Sequence, residues 1–244
     1  MARRRFFVPG FHHQRAELSG DDAHHLTRVL RVERGQRYEV CDGESAWLAA
    51  VVEAHKARVV FSLEERLPPK PEPPPLVLHV ALFKFDHIEW LVEKGTELGV
   101  EAFHFVTAER SEKGLDRAAG KRIGRWRKIA LEAAQQCRRD RLPLLHEPVR
   151  LREAAASAQG LKLLLDESGG QPLLRTLEGR GGQRVNLMIG PEGGWTGPER
   201  ALLQDAGWQS VTLGNLILRA ETAALAAAAV VQSAWMATGG ARED

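Results

Sequence analysis

Val185-Asn186-Leu187-Met188-Ile189-Gly190-Pro191-Glu192-Gly193-Gly194-Trp195-Thr196-Gly197-Pro198-Glu199 runs from an apolar segment through a glycine-dense turn to a helix start. The apolar run reads as a strand buried on both faces, the kind found in a parallel sheet covered by helices. Thr196 or Gly197 leads into Pro198, which suits the first helical position because proline lacks an N–H that would go unused there. Glycines past a strand's carboxyl end let backbone approach a ligand closely and present amides and carbonyls to it. The loop lacks the Lys-Ser/Thr of a phosphate-cradling loop, and no G-x-G-x-x-G follows a strand, so neither familiar nucleotide fingerprint is present. A glycine turn without a ligand stays open as the alternative.

Outward from this loop, residues 76–83, 102–106, 161–166, 184–189 and 210–213 read as strands. They alternate with helical segments at 87–98, 118–137, 171–177, 197–206 and 219–236, which predicts an α/β domain with a largely parallel sheet. Upstream, Pro68-Pro69-Lys70-Pro71-Glu72-Pro73-Pro74-Pro75 continues neither a helix nor a central strand and reads as a stiff spacer. The expected division is therefore a domain at 1–67, a linker at 68–75 and a domain at 76–244. Short apolar runs at 37–41, 46–52 and 59–63, bounded by turn signals such as Asp42-Gly43, have the pattern of a small β-barrel with one short helix at 22–29.

The chain has 244 residues, 43% of them hydrophobic, and two cysteines. That composition excludes wholesale disorder and a disulfide scaffold, and points to a reducing cytoplasm. Arg3-Arg4-Arg5 resembles the start of a signal peptide, but Phe6-Phe7-Val8 stops at Pro9-Gly10. No window approaches the roughly 18 apolar residues that span a bilayer, so no membrane partner is expected. The formal charge of +2 conceals a basic block, since residues 110–141 carry 11 basic and 4 acidic side chains with Trp126 among them. Arginine predominates there, which suits forked phosphate contacts and stacking on bases; a solvated helix face is the bland alternative.

Two further stretches bear on chemistry. In Leu213-Gly214-Asn215-Leu216-Ile217-Leu218-Arg219-Ala220-Glu221-Thr222-Ala223, an apolar run becomes an alanine-rich helix, and Arg219 and Glu221 fall at the junction. A buried charge there needs a partner or a ligand, although an ordinary helix-start ion pair fits equally well. In Trp90-Leu91-Val92-Glu93-Lys94-Gly95-Thr96-Glu97-Leu98-Gly99-Val100, Lys94 and Glu97 share a helix face. His12-His13 and His24-His25 have no matching ligand array, and Cys41 and Cys137 are not in C-x-x-C spacing, so no metal is expected.

Taken in order, these segments resemble the RsmE family of ribosomal RNA methyltransferases, of the SPOUT class. The resemblance covers nearly the whole chain: Arg5-Phe6-Phe7, His25-Leu26-Thr27-Arg28-Val29-Leu30-Arg31, Gly35, Asp42-Gly43, Lys84, Lys94-Gly95-Thr96-Glu97-Leu98-Gly99, Arg110-Ser111, residues 132–139 with Pro143, and above all the two stretches at 189–194 and 213–223. Trp195 stands where Phe is more usual and Gly95 where Ala is more usual. The resemblance implies a PUA-like RNA-binding β-barrel before a SPOUT-type parallel sheet with a C-terminal trefoil knot, a rare exception to unthreaded chains. It also implies a homodimer that uses S-adenosyl-L-methionine to methylate N3 of one uridine in the decoding region of 16S ribosomal RNA, within the small ribosomal subunit.

On that reading Ile189, Gly190, Pro191, Gly193 and Gly194 line one wall of the methyl-donor site. Leu213, Gly214, Asn215, Leu216 and Leu218 enclose the adenine, with Arg219 and Ala223 beyond, while Leu165, Asp166 and Glu167 complete the pocket. Arg219 is expected to stabilise charge on a uracil carbonyl oxygen while Glu221, Glu97 or solvent accepts the N3 proton. Arg3, Arg4, Arg5, Arg31, Lys94, Arg110, Arg138 and Arg139 are expected to meet RNA. The competing readings are a non-catalytic RNA-binding or ribosome-assembly protein of the same fold and a dinucleotide-dependent enzyme.

Overall fold

The computed structural model describes residues 4–70, 74–112 and 114–239. They form two units, one built from the amino-terminal part together with Leu131–Leu142 and the other from the remainder.

In the first unit, β1 (Arg5–Phe7), β2 (Phe11–His12), β3 (Arg15–Ser19), α1 (Gly20–Arg28), β4 (Arg37–Cys41), β5 (Ala46–His55) and β6 (Arg58–Arg66) follow one another. The strands lie in the order β1-β4-β5-β6-β3-β2, antiparallel except for β1 beside β4. Alternation sets which face is buried: along β3, Ala16 and Leu18 point inward while Arg15, Glu17 and Ser19 face out. Phe6, Val40, Val51, Val59 and Phe61 form the core, with Leu26 of α1 packed into it.

The second unit runs β7 (Leu76–Ala81), α2 (Phe85–Glu97), β8 (Ala102–Thr107), α3 (Leu115–Cys137, whose residues from Leu131 onward belong to the first unit), β9 (Leu144–Leu145), β10 (Val149–Arg150) and α4 (Leu151–Ser157). It continues with β11 (Leu161–Leu165), β12 (Gln171–Pro172), α5 (Leu173–Leu177), β13 (Val185–Ile189), α6 (Gly197–Asp205), β14 (Gln209–Thr212) and α7 (Ala220–Gly239). Every strand pair is parallel, in the order β10-β8-β7-β13-β11-β14-β12 with β9 beside β8. The central strands β7 and β13 are buried at every position, as a sheet covered on both faces requires. Ala119, Ile123, Trp126 and Ala130, spaced by four, three and four, turn one face of α3 inward, where Trp126 meets Phe85 and Phe105. Ala224, Ala227, Ala228 and Val231 do the same for α7.

Beyond the strands β1, β2, β3, β9 and β10, which the sequence does not single out, two elements differ from the sequence expectation. Residues 171–177, read as one helix, begin as the short strand β12 and only then become α5. The helix α4 carries no visible apolar period because its buried face is Leu151, Ala154 and Ala155.

Candidate functional site

The carboxyl ends of β7, β11, β13 and β14 converge, and the loops leaving them enclose a cavity of about 910 Å3. This is where parallel α/β sheets bind ligands, and the volume is within the range of small-molecule sites. Leu165, Asp166 and Glu167 line it after β11, Ile189, Gly190, Pro191 and Gly194 after β13, and Leu213, Gly214, Asn215, Leu216, Leu218, Arg219 and Ala223 after β14. Gly193 is displaced from the wall; its carbonyl accepts a hydrogen bond from Arg110 at 2.8 Å.

Local chemistry fixes the glycine loop. Thr196 and Glu199 form a reciprocal capping box at the start of α6, with Pro198 in its first turn. Glu199 also accepts from the Glu109 amide at 2.7 Å. A Cβ on Gly190 would stand 2.9 Å from the Trp195 ring nitrogen, so only glycine lets the indole close against the strand end. Gly194 has φ +68°, and a Cβ there would collide with the Glu167 carboxylate. Across the cavity Arg200 grips Asp166 with two bonds, at 2.8 and 3.1 Å, and reaches the Trp195 carbonyl at 2.6 Å. Burial pushes the Asp166 carboxyl up, but Arg200 and the Ser168 amide outweigh it and hold the group below the ordinary carboxylate range. A charged carboxylate is thereby kept at the rim.

Both signs of charge meet at the cavity. Arg219 is exposed; its carbonyl accepts from the Ala223 amide at 2.8 Å, but its guanidinium has no hydrogen-bond or ion-pair partner among the described residues. Lys84 and His87, at the start of α2, share the wall with Glu192, and Glu221 lies buried behind His87. His87 and Arg200, both on the cavity wall, leave no mark in the sequence, because a single histidine or arginine on an amphipathic helix carries no spacing signal.

The expected proton acceptor Glu97 is not on the cavity wall. It ends α2, ten residues beyond His87, which at about 1.5 Å per residue is roughly 15 Å away, and it pairs with Lys94 at 2.9 Å. Lys94 is held in turn by Glu93 and Glu97. Among the arginines expected to meet RNA, Arg5 is 2% exposed and bound to Glu39 and Asp140, so it is a buried structural charge and not a surface contact. Arg138 also pairs with Glu39, at 3.0 Å. Arg31 is exposed, Arg4 and Arg139 are half-buried, Arg110 leans on the glycine loop, and Arg3 lies outside the described residues. Among the described residues no group of acidic, histidine or cysteine side chains is arranged to hold a metal.

Parallel strands whose carboxyl ends meet at a cavity walled by a glycine loop define an α/β domain of the ligand-binding kind, here joined to a mostly antiparallel β unit. A family model for an RNA methyltransferase domain matches residues 70–232, and one for an RNA methyltransferase PUA domain matches residues 18–64. The Ribosomal RNA small subunit methyltransferase E of Mycobacterium bovis is 33% identical over 235 residues, covering 91% of this chain and 89% of the relative. That of Synechocystis is 34% identical over 224 residues, covering 88% and 72%. The crystal structure of the Neisseria gonorrhoeae protein of the same name, bound to S-adenosyl methionine, aligns with a TM-score of 0.86 at 31% identity over 96% of this chain and 98% of that one. The chain belongs to the ribosomal RNA small subunit methyltransferase E family.

Proposed function

We propose that this protein transfers the methyl group of S-adenosylmethionine to N3 of a single uridine in 16S ribosomal RNA of the small subunit. The methylation of small-subunit ribosomal RNA follows from the family; the uridine, its N3 and the decoding region are the finer part of the proposal. The observation that carries it is the cavity itself, walled by the glycine loop and the 213–219 loop, with the unpaired Arg219 guanidinium at its edge. S-adenosylmethionine supplies an electrophilic methyl on a sulfonium and has no phosphate, which fits a glycine loop without a phosphate-binding lysine. Backbone from Leu213 to Leu218 is suited to an adenine edge. Asp166 and Glu167 offer acceptors for ribose hydroxyls or an ammonium, and Lys84 offers a cation for a carboxylate.

Methyl transfer is an in-line displacement, so positioning provides much of the rate. Arg219 stabilises the negative charge that develops on a uracil carbonyl oxygen as N3 attacks. The base must leave its stack to reach the cavity, so the substrate is folded or ribosomal RNA and not a free nucleoside. We also propose a homodimer, supported by the exposed apolar side chains Leu216, Ile217 and Met236, and a trefoil knot in a carboxyl-terminal domain spanning 76–244. No helix among the described residues is long and apolar enough to cross a membrane, which accords with action in the cytoplasm. The test is methylation by Arg219→Ala: a large loss of rate is expected, whereas activity within about threefold of wild type, under roughly 0.7 kcal/mol of barrier, contradicts the arginine's role.

A further inference from the structure

An N3 methylation must dispose of an imide proton, and with Glu97 at the far end of α2 the cavity needs another acceptor. His87 stands on the cavity wall, in the first turn of α2. Its Nδ1 is buried, lies 3.6 Å from Glu221 Oε1 and 3.7 Å from Glu192 Oε1, and has no hydrogen-bond partner. Glu221 Oε2 is buried and unpartnered as well. Carboxylates on either side of Nδ1 favour the tautomer with its proton there, which leaves the lone pair on Nε2. Nε2 lies 3.9 Å from the exposed Asp86 carboxylate, and the cations that share the wall are Lys84, Arg219 and Arg200, the last already paired with Asp166. Glu221 itself is 6% exposed and off the wall, so it reaches a ligand only through His87.

We propose that His87 is the general base of the reaction and that Glu221, with Glu192, positions it and stabilises its charged form. This rests on the methyl-transfer reading above. As N3 bonds to the methyl carbon, the carbon–sulfur bond breaks and sulfur keeps its electron pair. The N3 proton passes to Nε2. The imidazolium, flanked by two carboxylates, then returns the proton to water beside Asp86.

The test compares wild type with His87→Gln and Glu221→Gln in single-turnover methylation of small ribosomal subunits across pH, with S-adenosylmethionine affinity measured separately by calorimetry. For His87→Gln the rate falls by about 100-fold or more and the acid limb of the pH profile disappears, while affinity stays within about threefold. Glu221→Gln loses rate but keeps the acid limb. A His87→Gln rate within about threefold of wild type with the acid limb intact overturns the proposal, and so does a rate loss matched by an equal loss of affinity. Wild-type protein that binds S-adenosylmethionine yet methylates no uridine N3 overturns the methyl-transfer reading, a failure visible before any variant is made.

Discussion

Gly190 shows what a single missing side chain achieves. Trp195 is 2% exposed and closes within contact of the Gly190 backbone, so a methyl group there must push the indole or the strand end into the cavity. Gly190→Ala is expected to weaken S-adenosylmethionine binding at least tenfold by calorimetry while leaving the circular dichroism unchanged; affinity within twofold of wild type contradicts this. Arg5 belongs to folding. Its guanidinium joins Glu39 and Asp140, and removing it leaves one oxygen of the buried Glu39 carboxylate unpaired, with Arg138 as the remaining guanidinium. Arg5→Ala should cost about 3 kcal/mol, read from urea unfolding. The two residues differ in how legible they were. Gly190 sits in a motif whose composition announces close approach, whereas Arg5 looked like the end of a basic tail because its partners are 34 and 135 residues away in sequence. His87 was invisible for the same reason, since its role depends on carboxylates brought from beyond β13 and from α7.

Strands β7 and β8 carry a second histidine feature. The ring of His79 stacks on His104 at 4.8 Å, and His104 stacks on His146 at 4.0 Å, while His79 Nε2 meets Asn186 Oδ1 at 3.0 Å. Burial pushes His79 and His104 down to about 4, against an ordinary value near 6.5. Between those values the unfolded chain binds protons that the folded chain refuses. The stabilisation is therefore complete above about pH 6.5 and is lost as pH falls toward 4. The urea midpoint should drop between pH 7 and pH 5, and His104→Phe, which keeps a stacked ring without a titrating nitrogen, should flatten that drop. An unchanged slope would count against the stack. Most elements were legible because long apolar runs and alternation survive in sequence. The helix α4 was not, because alanines pack well without a strong hydrophobic signal.

Across the chain, the basic block at 110–141 was legible as a concentration of charge, but not as two populations. Arg122 and Arg125 are held by Glu89, Arg127 by the Leu145 carbonyl and Arg138 by Glu39. Arg117, Lys121 and Lys128, spaced by four and seven, remain exposed on one face of α3. Replacing these three with alanine should weaken RNA binding and lower the slope of log affinity against log salt by about 2 to 3, since each phosphate contact contributes about 0.7–0.9. An unchanged slope would place the RNA elsewhere. The glycine loop, the 213–223 stretch and the proline spacer together made the family legible, while the cavity's charges had to wait for the fold. The most direct test incubates the purified protein with small ribosomal subunits and S-adenosylmethionine carrying a deuterated methyl, then locates the label by nuclease digestion and mass spectrometry. Label is expected on N3 of one uridine in the 16S RNA; label on a ribose, on another base atom or scattered over many nucleotides would overturn the proposed reaction.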